Sequence, residues 1–534
     1  MKIKIQTKIP VIGVLRYALF GIILMSCSSD EPVTVTPEEQ PVVIKSISNG
    51  GFEEGLANWN VEGDASAVKQ IEGGCEGNYA LAFDSPSTYE VTVSQNVEGL
   101  EDGLYDLEFY YQNGGGQPVC YVAAGTNDVT RKMTTLCVSP NTWTRSYVRG
   151  IKVENGSCQV SINMQADAGE NCRIDGLRLI STDKEFSLLK GGDISELTYV
   201  EQNGGKYYEN GQEKDCIEIL KNNGFNIVRL RLYNDPGNPN YSPSNRLPVG
   251  IQDEADILRL AKRAKDAGMQ IQLTFHYSDY WTNGESQNKP HEWEGLDFEA
   301  LKQALYDYTY GFMNKMAAQG TTPEYVSIGN EVQAGMLYPD GDAVNNMSQL
   351  SELFNAGYDA VKAVSPDSKV IIHSSGAGDR DLYQWFFGGL QDRGTKYDII
   401  GASYYPFSEF NNKRASEIRE WADDISNQFD KDILIMETGY SWNPTLPDNK
   451  PGQLGNNGPY KEMTPLGQKN FVLELADEIK KSDRIIGFLY WDPIFIECND
   501  LGWELGGDNV VSNTTLFDFQ GNRLEVFDAF KYNN

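Results

Sequence analysis

The chain is poor in features that mark whole classes of function. It carries only three histidines in 534 residues. Its eight cysteines form no Cys-x-x-Cys pair, and no Cys/His cluster has zinc-ligand spacing. That pattern excludes a zinc ribbon or finger. Positive charge is scarce as well: 45 Lys and Arg against 76 Asp and Glu leave a formal charge of -31. Nucleic acids and anionic membranes are gripped by clustered Lys and Arg, so neither is an expected partner and a neutral ligand is. Beyond residue 25 no apolar run is long enough to cross a bilayer. No Gly-rich phosphate fingerprint follows any strand-like run, which argues against nucleotide binding.

At the N-terminus, Lys2, Lys4 and Lys8 precede an apolar stretch over residues 11–25, broken by Gly13, Arg16 and Gly21. The stretch is too short and too interrupted to span a ~30 Å hydrocarbon core comfortably. It closes on Leu24-Met25-Ser26-Cys27, which resembles a bacterial lipobox. The resemblance implies a signal peptide over residues 1–26, cleavage before Cys27 and lipid on Cys27. Asp30 and Glu31 resemble the surface-export signal of Bacteroidetes lipoproteins, which implies an outer-membrane anchor with the folded part exposed on the cell surface. Contact with a membrane is then expected only through that lipid. Residues 27–43, rich in Pro, Thr and acids, read as an extended tether. The other cysteines could pair in an exported protein, with a connectivity that spacing leaves open.

Two textures follow. Over residues 44–183, short runs alternate apolar and polar between Gly, Asn, Asp and Ser, as in Tyr89-Glu-Val-Thr-Val-Ser and Cys158-Gln-Val-Ser-Ile-Asn-Met. Each run reads as a half-buried strand, so this part is expected to be an all-β sandwich. Asn49-Gly-Gly-Phe-Glu-Glu-Gly and Cys172-Arg-Ile-Asp-Gly-Leu-Arg-Leu-Ile resemble the first and last strands of jelly-roll modules with a galactose-binding-like fold. Such modules either hold a glycan or pack against a partner domain, and both readings stay open.

Over residues 184–534 apolar strand-like runs alternate with helical patterns, and eight such runs can be counted. A parallel sheet with helical crossovers follows, and a (β/α)8 TIM barrel fits better than a doubly wound sheet, because polar residues sit at the ends of many different strands. Those ends carry Asp193, Arg229 and Arg231, His276, Asn330 and Glu331, His373, Tyr405, Glu437 and Trp491. Barrel enzymes place their reactive groups there. Glu331 on strand four and Glu437 on strand seven are the two carboxylates that glycoside hydrolysis uses, one as acid and one as nucleophile. Arg231 is the expected cation beside Glu437, although Arg229 lies on the same side of its strand. Tyr405 is expected to donate to Glu437, and Asn330 to hold a sugar 2-hydroxyl. Asp193, His276 and His373 are expected to touch substrate or tune the carboxylates. Trp491 resembles the strand-eight ring that lies under the sugar at the cleavage site in clan A glycosidases, and Trp281, Trp385 and Trp442 are candidates to line further subsites, with core packing the equal alternative for Trp385. Taken singly, each of these could instead be a cap or a structural ion pair.

Ile328-Gly-Asn-Glu and Met436-Glu-Thr-Gly-Tyr resemble the acid/base and nucleophile segments of the clan A retaining glycosidases. With Val228-Arg-Leu-Arg-Leu-Tyr, Thr274-Phe-His-Tyr-Ser-Asp-Tyr-Trp and Gly487-Phe-Leu-Tyr-Trp-Asp-Pro, the chain resembles glycoside hydrolase family 53, the arabinogalactan endo-β-1,4-galactanases. That resemblance implies Glu331 as acid/base, Glu437 as nucleophile, β-1,4-galactan as substrate, no cofactor in catalysis, and a monomer. A mannanase or glucanase of the same clan, or a non-catalytic glycan-binding lipoprotein, are the alternatives. Some bacterial members hold a structural calcium in the loops after strands seven and eight. Residues 444–457 offer only Asp448 and a few Asn there, so calcium stays open.

Overall fold

The computed structural model describes residues 44–127, 130–242, 246–407, 412–499, 501–503 and 506–531. The signal and tether assigned to residues 1–43 lie outside the described residues.

The first part is all β. Eleven strands between Ile44 and Thr182 form two antiparallel sheets. Their inward positions, Leu81, Phe109 and Ile174 in one sheet and Val91, Val122 and Ile162 in the other, meet in one core. The Asn49-Gly-Gly-Phe motif has a structural task here. Asn49 and Phe52 take left-handed backbone angles, φ 54 at each. The Asn49 amide then donates to the carbonyls of Gly55 and Ala57, and the Trp59 indole donates to the Asn49 carbonyl at 3.1 Å. Phe52 is thereby pinned in the core, 5.3 Å from the Trp59 ring. Among the described residues the seven cysteines are free thiols.

The second part is a closed parallel barrel of eight strands: Leu189–Asp193, Ile227–Leu232, Gln270–Phe275, Tyr325–Ile328, Lys369–Ser374, Ile399–Tyr404, Asp432–Thr438 and Ile485–Tyr490. These are the eight apolar runs read from the sequence. Buried on both faces, parallel strands need apolar side chains throughout, which is why the runs are continuous rather than alternating. Leu189, Ile227, Ile371, Ile399, Leu434 and Leu489 pack together inside the barrel. Counting in steps of two from this layer sends Arg229, Arg231, His373, Ser403 and Trp491 inward toward the mouth. Strand seven breaks that count. Its pairing with strand six shifts register between Ala402 and Ser403, placing Ile435 and Glu437 on consecutive partners. The extra residue is a bulge, and it lets Met436 fill the interior while Glu437 still turns inward.

The two parts are joined along the helix Pro465–Lys480. Arg149 of the β part donates to Asp106 at 2.9 Å, to the Lys480 and Ser482 carbonyls at 3.2 and 3.1 Å, and to Asp483 at 2.5 Å. The Lys480 ammonium reaches the Thr134 hydroxyl at 2.8 Å. Arg149 is buried, so removing its guanidinium strands Asp106 and two carbonyls away from water. Arg149→Ala is expected to cost about 3–5 kcal/mol, the usual penalty for breaking one side of a buried ion pair. Denaturant unfolding read by fluorescence checks this, against a surface control such as Lys69→Ala, which should change little.

Candidate active site

The barrel mouth opens on a cleft of about 350 Å³ whose wall includes Arg231, His276, Asn330, Glu331, Glu437 and Trp491. The two glutamates share this cleft but have different surroundings.

Glu437 ends strand seven and is largely buried. Its Oε1 accepts from Arg229 Nη1 at 2.6 Å, and its Oε2 accepts from the Tyr405 hydroxyl at 2.9 Å. Burial and the Glu437 charge hold the Tyr405 phenol well above its ordinary pKa, so it remains a donor. A guanidinium and a phenol on opposite oxygens fix the orientation of this carboxyl.

Glu331 follows strand four after a change of backbone hand: Gly329 has φ 85 and Glu331 itself φ 49. A left-handed non-glycine residue costs about 1 kcal/mol or more, and such strain is tolerated where it aims a functional side chain. Ser403 Oγ lies 2.7 Å from Glu331 Oε1. Burial, then the nearby Glu437 charge, push the Glu331 carboxyl up to about 7. One carboxyl is therefore raised into the neutral range while its partner is pinned by two donors.

The structure corrects the choice of cation. Arg229, not Arg231, holds the nucleophile candidate. Arg229 is fully buried, and its other nitrogens reach Asn330 Oδ1 at 2.7 Å and Thr274 Oγ1 at 3.3 Å. Arg231, two residues further toward the mouth, is captured by two acids: Asp193 at the end of strand one, at 3.0 Å, and Glu196 in the loop after it. Its guanidinium lies 4.5 Å from the Trp281 ring centre, under the cleft wall. Asp193, also expected at the substrate, is instead wholly buried, pairing with Arg231 and accepting from Ser195. Asp492 joins this cluster, and burial followed by the Glu196 charge holds its carboxyl well above the usual range. His373 is likewise buried behind the cleft. It touches Asn330 and Ser403 and does not line the cavity.

Other residues singled out in the sequence line the cleft. Asn330 lines the cleft with its amide nitrogen donating to the Thr282 carbonyl at 2.9 Å. His276 lines it too, with Nδ1 2.7 Å from Thr282 Oγ1. Burial, then Arg231 and Arg229, keep His276 well below its usual pKa and so neutral. Trp491 and Trp281 stand on the wall. Trp385 does not: it is 45% exposed on the outer helix Arg380–Gln391. Trp442 packs 4.6 Å from Phe519 and does not line the cavity. Trp503 had no sequence signal, since it sits in irregular chain beyond strand eight. It bridges Trp491 and Trp281 at 5.2 and 5.5 Å. Tyr280, Phe407 and Leu454 extend the apolar wall.

Four buried polar atoms on this wall have no hydrogen-bond partner among the described residues: Arg231 Nη1, His276 Nε2, Trp281 Nε1 and Trp503 Nε1. Aromatic faces interspersed with such open valences suit a ligand with apolar ring faces and hydroxyl edges.

No group of three or more His, Cys, Asp or Glu that could hold a metal occurs among the described residues. In the loops after strands seven and eight, Asp448 and Asp508 face the Lys450 ammonium at 2.8 and 3.4 Å.

A (β/α)8 barrel with one glutamate raised toward neutrality and one pinned by two donors in a shared aromatic cleft defines a glycoside hydrolase of the two-carboxylate type. The chain belongs to glycosyl hydrolase family 53, whose profile matches residues 189–530. The endo-β-1,4-galactanase of Bacillus subtilis is 28% identical over 383 residues, covering 65% of this chain and 86% of that protein. The arabinogalactan endo-β-1,4-galactanase of Thermothelomyces thermophilus is 29% identical over 352 residues, covering 64% and 98%. Among solved structures, the family 53 catalytic domain of Ignisphaera aggregans superposes with a TM-score of 0.59 at 34% identity, covering 65% of this chain and 96% of that domain.

Proposed function

We propose that this hydrolase cuts internal β-1,4-galactosidic bonds of galactan and arabinogalactan by double displacement. The observation that carries the mechanism is the unequal pair: Glu331 raised to about 7, Glu437 held by Arg229 and Tyr405. Glu437 attacks the anomeric carbon while Glu331 gives its proton to the leaving oxygen. A glycosyl ester forms on Glu437 and the reducing-side fragment departs. Glu331, now a carboxylate, takes a proton from water, and that water releases the sugar with its configuration retained. Asn330, fixed by Arg229 and Thr282, directs the free hydrogen of its amide to the 2-hydroxyl. Trp491 carries the sugar at the cleavage point, and Arg231 and His276 reach its hydroxyls from the wall. The pair of carboxylates supplies the chemistry without a cofactor.

Galactan is supported by family membership and by the activity that the Bacillus and Thermothelomyces relatives are named for. The expected result is release of short galacto-oligosaccharides from linear β-1,4-galactan, read by chromatography, with little from mannan or cellulose. Release from mannan or cellulose and none from galactan would overturn this substrate. The lipobox-like Leu24-Met25-Ser26-Cys27 and the acids after it support a lipid anchor at Cys27 on the outer membrane, with the folded part exposed at the cell surface.

A further inference from the structure

Gln287 is a buried amide in the loop between strand three and the helix Phe298–Ala318, and it does not line the cleft. Its Nε2 donates to the carbonyls of Asn283 and Asn330, each at 2.8 Å, and reaches that of Glu331 at 3.4 Å. All three partners are acceptors, so the nitrogen end of the amide faces them. A primary amide has two hydrogens. One stays within its own loop on Asn283, and the other crosses to the stretch of chain that carries the acid. That stretch needs holding. Strand four ends at Ile328, and Glu331 is bent into the left-handed region at φ 49, a conformation that a non-glycine residue keeps only where its surroundings impose it.

The same loop grips this turn elsewhere. The Thr282 carbonyl accepts from the Asn330 side chain at 2.9 Å, and the Gly284 N–H donates to the Glu331 carboxyl. Further along, Tyr338 N donates to the Gln287 carbonyl at 2.8 Å, and Lys289 pairs with Asp340 at 2.5 Å. The loop is itself cross-braced. Asn283 Oδ1 accepts from the N–H groups of Glu285 and Ser286 at 2.8 and 3.0 Å, and Asn283 N donates to the Ser286 carbonyl at 3.0 Å. Gly284 sits too close to its neighbour for a side chain. A Cβ there would collide with Gln333 Nε2, and the Gln333 amide is fixed by bonds to Ser375 at 2.6 and 3.0 Å.

We propose that Gln287 is a positioning residue for the general acid: its amide clamps the Asn330–Glu331 turn to the loop after strand three and so keeps the Glu331 carboxyl aimed at the leaving oxygen. The inference rests on the acid/base reading of Glu331. The Asn330 side chain has its own supports in Arg229 and Thr282, so loss of the clamp falls on Glu331. The defect is then one of proton delivery, and it grows with the need of the leaving group for a proton.

Gln287→Met keeps the length of the side chain and removes both of its hydrogens. On galactan, whose leaving oxygen needs a proton, kcat/KM is expected to fall by about 10²-fold, the scale of a catalytic group misplaced by about 1 Å. On the dinitrophenyl β-glycoside of β-1,4-galactobiose, whose leaving group departs as an anion, kcat/KM should stay close to the native value. The ratio of the two values does not depend on how much of the variant folds. Equal losses on both substrates, or no loss on galactan, overturn the inference. Should Gln287→Met leave no folded enzyme, Gly284→Ala decides by the same ratio, because its methyl group must part the loop from Gln333 and shift the N–H that meets Glu331. Glu331→Ala tests the reading beneath. If its own loss is the same on both substrates, the acid/base reading falls and the clamp with it. If its loss shrinks on the dinitrophenyl glycoside while that of Gln287→Met does not, the clamp alone falls.

Discussion

Glu437→Gln is expected to abolish turnover, with kcat on galactan falling by about 10⁴-fold or more, as when a covalent nucleophile is removed. The amide keeps the size of the side chain, so the fold and cleft should persist. What disappears is the group that becomes the leaving ester. Arg229 Nη1 would also face an amide in place of the carboxylate it binds at 2.6 Å. Binding of galacto-oligosaccharide, measured by calorimetry, should survive at a level close to the native enzyme. A variant that binds and turns over normally would remove Glu437 from the mechanism.

Glu331→Ala carries the second large effect, and its signature depends on the substrate. On galactan, kcat/KM should fall by about 10²–10⁴-fold, the usual contribution of a positioned general acid. On an aryl β-galactoside with a good leaving group the first step needs no proton, and the loss there should shrink. Azide should restore turnover and yield the β-galactosyl azide, because an anion attacks the glycosyl enzyme without a base. The same residue sets the pH profile. Glu331 must be protonated to act, and its carboxyl is raised to about 7, so wild-type kcat/KM should fall as pH rises through that value. In Glu331→Ala this limb should vanish.

Most of the barrel was legible because its physics is local. A strand buried on both faces must be apolar along its length, so the eight runs stood out, and a charge at the end of such a run marked a mouth position. Glu331, Glu437, Tyr405 and Trp491 were found in this way and by family resemblance. The misses arise where contacts between residues distant in the chain decide the outcome. Arg229 and Arg231 share a side of one strand, and no pattern along the chain tells them apart. The loop after strand one supplies Glu196, which with Asp193 claims Arg231 and leaves Arg229 for Glu437. His373 was expected at the sugar because it ends a strand, but Asn330 and Ser403 hold it one layer behind. Ser403 gave no signal, being a lone serine in Gly-Ala-Ser-Tyr. Trp503 belongs to irregular chain with no period to read. The bulge in strand seven was equally silent, and without it the alternation that puts Met436 inside would turn Glu437 away.

The most direct test of the account follows the anomeric configuration of the first product. Galacto-oligosaccharide hydrolysis can be monitored by proton NMR from the first minutes. Attack by Glu437 followed by water delivered through Glu331 predicts that the β-anomer appears first, with the α-anomer growing in only by mutarotation. An α-anomer as the initial product would mean a single displacement by water, and would contradict the nucleophile role given to Glu437.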